Sequence, residues 1–87
     1  MAKSILKDRI VSWKIVKDVL ISYGFEEIKK EGRLIYLYFK KHEIIVQVPK
    51  ERKIFFLTLK HIIEQSQIPE GLFLTRIEEV KRSVIDN

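Results

Sequence analysis

Eighty-seven residues, 46% of them hydrophobic and 33% charged, suit one compact domain with a modest core rather than a disordered chain. The absence of cysteine excludes a disulfide framework, an iron–sulfur cluster and a thiolate zinc site, and it fits a reducing compartment, so the cytoplasm is the expected location. Seventeen Lys and Arg against twelve Asp and Glu leave a net charge of +5, for which nucleic acid is the commonest acidic partner of a small domain.

The first eleven residues interrupt their apolar positions with Lys3, Lys7, Asp8 and Arg9, unlike a signal peptide, and no run anywhere approaches the roughly 20 apolar residues of a membrane span. They read as an N-terminal extension (1–11) to a core (12–68) and a C-terminal helix (69–85), all within one domain, 1–87. Ser12 is a good N-cap for a helix in which Trp13, Val16, Val19, Leu20 and Tyr23 recur at helical spacing, and Gly24 ends it. Residues 25–30 form a short polar strand, and Glu31 and Gly32 turn into a second strand, Arg33 to Phe39. Lys40, Lys41, His42 and Glu43 make a hairpin tip before a β-branched third strand, 44–48, which Pro49 stops.

After a charged loop, 50–53, a second helix is expected to start near Thr58, with Leu59, Ile62 and Ile63 on one face. Pro69 is placed as the first residue of a third helix, amphipathic through Phe73, Ile77, Val80 and Val84. The order predicts an α+β fold: a two-layer sandwich of helix, three-stranded antiparallel meander and helix, with an added C-terminal helix. In such a sandwich Ile35, Leu37, Phe39, Ile44, Val46 and Val48 face the helices. Leu34, Tyr36, Tyr38 and Ile45 then stand on the open side, an apolar patch with nothing assigned to cover it.

The ordered set of Ser12, Gly24-Phe25, Gly32, Val46-Gln47-Val48-Pro49 and Thr58-Leu59-Lys60 with Ile62, Ile63 and Gln65 resembles the HicA family, mRNA-cleaving toxins of prokaryotic toxin–antitoxin modules. The likeness runs from about residue 12 to 74 and implies a double-stranded-RNA-binding-domain-like fold. In that family Ser-His follows the glycine, and the histidine is implicated in cleavage. Here the matching positions are Arg33 and Leu34. Leucine cannot take or give a proton, and arginine, with its very high pKa, is a poor base.

The resemblance therefore implies an RNA-binding domain without nuclease activity. The candidate RNA contacts are Lys29, Lys30 and Arg33 at the first turn, Lys40, Lys41 and His42 at the hairpin tip, and Lys50, Arg52 and Lys53 in the loop. Tyr36 and Tyr38 are suited to stack on unpaired bases. The alternative is an interaction module, self-associating or bound to an antitoxin-like protein. It would use Leu34, Tyr36, Tyr38 and Ile45, with the stripe Phe73, Ile77, Val80 and Val84 as a second candidate surface unless the helix folds back on the domain itself. An active nuclease with a displaced catalytic group ranks below both, because His42 and His61 each have an ordinary surface reading. No metal or cofactor is expected.

Overall fold

A computed structural model of the chain describes residues 10–86, with side chains through Ser83. Ser12, extended at φ −80° and ψ 156°, accepts a hydrogen bond from the Ile15 N–H and starts α1 (Trp13–Ser22). Gly24 follows the last turn at φ 104°, a left-handed conformation that a side chain resists, and a Cβ there would lie 2.8 Å from the Phe39 ring. The chain then makes β1 (Glu26–Glu31), β2 (Leu34–Phe39) and β3 (Ile44–Pro49), hydrogen-bonded in the order β1-β2-β3. Both pairings are antiparallel. Across the sheet Ile35 stands opposite Val48, Leu37 opposite Val46 and Phe39 opposite Ile44, so one face carries a continuous apolar surface toward the helices.

Two helices complete that layer, α2 (Phe56–Ser66) against β3 and α3 (Glu70–Asp86) against α1 and α2. Val16, Val19 and Leu20 of α1 meet Leu59, Ile62 and Ile63 of α2 and the inner sheet face in one core. The expected α+β sandwich with helix, three-stranded meander and helices is therefore the observed fold. Its helix side is fuller than the core 12–68 required, because Phe73 and Ile77 of α3 are wholly buried and Val80 packs against them. Phe73 and Ile77 are thus not interface residues: burial inside the domain's own core uses the whole side chain. Val84 lies outside the described side chains, and α3 does not cover the open sheet face.

The strands lie within one residue of expectation, β1 shifted by one, β2 starting at Leu34 rather than Arg33 and β3 taking in Pro49, and three differences at the helices and the N-terminal extension have a visible cause. α2 begins two residues before Thr58, because the Phe55 carbonyl already accepts from the Leu59 N–H and the start is fixed from outside: Val11 and Ile54 exchange two backbone hydrogen bonds in an isolated bridge. Through that bridge Val11, counted with the extension, is a core residue at 2% exposure; residues 1–9 lie outside the described residues. α3 begins at Glu70, with the Pro69 carbonyl accepting from the Phe73 N–H, so Pro69 precedes the helix rather than opening it.

Candidate nucleic-acid interface

The turn from β1 to β2, the end of β3 and the first turn of α1 meet at one end of the sandwich. The Lys50 N–H donates to the Arg33 carbonyl at 2.8 Å, and the Trp13 N–H donates to the Glu51 carbonyl at 3.0 Å, so three segments distant in sequence are pinned together. On that frame the Trp13 indole, half-buried, has three ammonium groups around it: Lys14 and Lys17 at 5.9 Å and Lys50 at 5.8 Å from the ring centroid. Cations held near an indole face are attracted by its quadrupole while still reaching solvent. Arg33, Arg52 and Lys53 are exposed in the adjoining turns. Among the described residues none of Lys14, Arg33, Lys50, Arg52 and Lys53 has a carboxylate within ion-pair distance.

Three acids lie at this end: Glu51, exposed in the loop between Lys50 and Arg52, and Glu27 and Glu31 at the border, which are engaged. Glu27 receives Lys17 at 2.8 Å and Lys30 at 3.7 Å, tying α1 to the edge strand β1. The hydrogen bond from Lys17 is the largest influence and, with the charges of Lys17 and Lys30 added, holds the Glu27 carboxyl below the usual glutamate range against the opposing effect of burial. Glu31 takes Lys29 at 3.7 Å and the Tyr36 hydroxyl at 3.2 Å on the other face of the sheet. The surface at this end is therefore cationic in net.

Six of the nine candidate RNA contacts, Lys29, Lys30, Arg33, Lys50, Arg52 and Lys53, gather at this end, with Lys29 turned onto the open face. Lys40, Lys41 and His42 do not join them. They occupy the hairpin tip at the other end of β2, whose six residues span about 20 Å. His61 is exposed on α2. Neither imidazole adjoins Leu34, which is itself half-buried across from Glu31 and Pro49. Trp13, Lys14 and Lys17 were missing from the sequence candidates, although Lys14 and Lys17 follow a tryptophan on the first turn of a helix whose opening residue must lie at the margin of any core.

The open face is less apolar than the alternation of β2 suggests. Tyr36 stands between Lys29 and Gln47, with the Lys29 ammonium 4.9 Å from its ring centroid, so its ring is already in use. Tyr38 and Ile45 are opposite each other, Ile45 being 52% exposed, and the extra residue of the β1 bulge, Ile28, is also exposed. Among the described residues no helix is long and apolar enough to cross a membrane, and no three of His, Asp and Glu gather to hold a metal ion. No family model, curated protein or solved structure matches this chain.

Proposed function

We propose that this domain binds duplex RNA through the phosphates facing its basic end and leaves the strands uncut. The observation that carries the reading is the Trp13 cluster: Lys14, Lys17 and Lys50 around one indole, continuous with Arg33, Arg52 and Lys53. Several separate chain segments present cations in fixed relation, which suits a ligand recognised by backbone shape rather than by base edges. The N-terminus of α1, and that of α2 just after Lys53, add partial positive charge at the same end. The resemblance to HicA supplies the choice of RNA over other polyanions. Leu34, where that family has its histidine, supports binding without cleavage, since general acid–base help contributes about 10²- to 10⁴-fold to such reactions.

Trp13 is the sole tryptophan, so its fluorescence reports this end alone. Titration with an RNA duplex of about 20 base pairs should change that fluorescence saturably, and the RNA should run uncut on a denaturing gel. The double variant Arg33→Ala/Lys50→Ala should bind at least about tenfold more weakly. Unchanged fluorescence, or binding indifferent to the double variant, would overturn the reading. A second reading, association with another copy or an antitoxin-like protein through Tyr38, Ile45 and Ile28, rests on the exposure of those two isoleucines. It requires a dimer or complex in sedimentation that Ile45→Asp abolishes.

A further inference from the structure

The end of the sandwich opposite the Trp13 cluster contains a cavity of about 580 Å³, within the size range of small-ligand sites. The C-terminus of α1, the hairpin tip and the link between α2 and α3 line it, and it opens to solvent. Phe25 and Phe39 stack at 5.3 Å between ring centroids, and His42 is tilted against Phe39 at 5.4 Å, so one wall is a run of three rings. Facing them are Gln67, Ile68 and Leu72. No lining residue is acidic, and in the tip Lys40 and Lys41 directly precede His42 while Glu43 follows it, which leaves the tip a net positive charge.

Gln67 is the informative residue. It is exposed at the mouth of the cavity in the left-handed region at φ 62°, where asparagine or glycine is the usual occupant, and among the described residues its side-chain amide has no protein hydrogen-bond partner, which leaves it to solvent or a ligand. The neighbouring Ser66 hydroxyl, by contrast, is fully used, donating to the Ile63 carbonyl and accepting from the Ile68 N–H. A ring wall, an amide with both donor and acceptor, and two lysines in the same hairpin tip as His42 together fit a flat heterocycle that carries a hydrogen-bonding edge and an attached anion. We propose that the cavity binds an unpaired nucleotide of a nucleic-acid strand, its base against Phe39 and His42 and paired at its edge by Gln67, its phosphate toward Lys40 and Lys41. Only the choice of nucleic acid as the source of that nucleotide rests on the function proposed above.

Adenosine 5′-monophosphate, adenosine and a single-stranded adenosine hexanucleotide are each titrated into the full-length protein and followed by ¹H–¹⁵N NMR. The monophosphate should shift the His42, Gln67 and Ile68 resonances saturably and bind severalfold more tightly than adenosine. That preference should vanish in Lys40→Ala/Lys41→Ala, and the hexanucleotide should bind more tightly still. Gln67→Gly keeps the left-handed turn while deleting the amide, so it should fold normally and weaken the monophosphate about tenfold. Gln67→Asn should retain most of the binding.

Shifts absent at millimolar monophosphate, or equal affinity in wild type and Gln67→Gly, would overturn the assignment. Equal affinity for monophosphate and hexanucleotide would overturn the strand as source. Because the monophosphate is read at His42 and the duplex at Trp13, either result can fail while the other stands.

Discussion

Trp13 shows how one residue changes meaning between pattern and structure. At helical spacing with Val16, Val19 and Leu20 it belongs to a core stripe, yet those three are wholly buried while Trp13, at the first turn, packs against the core on one side and is half-covered among lysines. Periodicity gives a face but not the point along the helix where the core stops. Gly24 is the opposite case, legible from its place after an apolar stripe and confirmed by a φ of 104° with the Phe39 ring against it. Both strain and overlap would follow from a methyl group there. We expect Gly24→Ala to lower unfolding free energy by about 1–3 kcal/mol in denaturant titrations, and a change below about 0.5 kcal/mol would contradict that geometry.

Among elements, the strands were legible and the ends of the later helices were not. Ile35, Leu37, Ile44, Val46 and Val48 alternate in sequence as they do in burial, because register in a half-covered sheet is set by which residues must leave water. Phe55 gave no such signal: it occupies the N-cap of α2 at φ −86° and ψ 170° without a side-chain oxygen to cap the first turn. Its backbone already suits a capping residue and its ring is largely exposed. Phe55→Ser should therefore raise stability by about 0.5–1 kcal/mol, measured as a shift in thermal midpoint; destabilisation would mean the ring packs more than its exposure indicates.

The α1–β1 tie makes a pH prediction at the same scale. Because the folded Glu27 pKa is depressed, its contribution is complete above the ordinary glutamate pKa of about 4.3 and is lost as pH falls through the lower folded value. Between about pH 5 and pH 3 the wild type should lose more stability than Glu27→Gln, which has no carboxylate to protonate. Parallel pH profiles of the two proteins would remove Lys17–Glu27 from the list of interactions that hold β1.

At the scale of the whole molecule, the sequence implied a helix-covered sheet but not which surface α3 would cover. Its stripe fits the open sheet face or the helix layer equally well by periodicity, and only the fit of Phe73 and Ile77 into the space beside α1 decides between them. Tyr23 and Arg76 add to the contact, the guanidinium lying 4.7 Å from the phenol ring centroid and donating to the Ser22 hydroxyl. Since α3 supplies core, Phe73→Ala should cost about 3–5 kcal/mol and unfold the domain as one unit; loss of α3 alone, with the sheet intact, would show it to be an appendage.

The same global view divides the cations. Reading them along the chain gave three clusters of equal standing, whereas folding joins the first-turn and loop clusters around Trp13 and carries the hairpin tip to the far end. Duplex binding should therefore depend on the first two and be nearly indifferent to Lys40 and Lys41. The most direct measurement is the salt dependence of duplex RNA affinity in wild type, Arg33→Ala/Lys50→Ala and Lys40→Ala/Lys41→Ala. Each phosphate contact removed should flatten the log–log slope by about one unit, so the first pair should lower it by about two and the second should leave it unchanged. Equal slopes for the wild type and the Arg33/Lys50 pair, or a loss confined to the Lys40/Lys41 pair, would contradict duplex recognition at the Trp13 end.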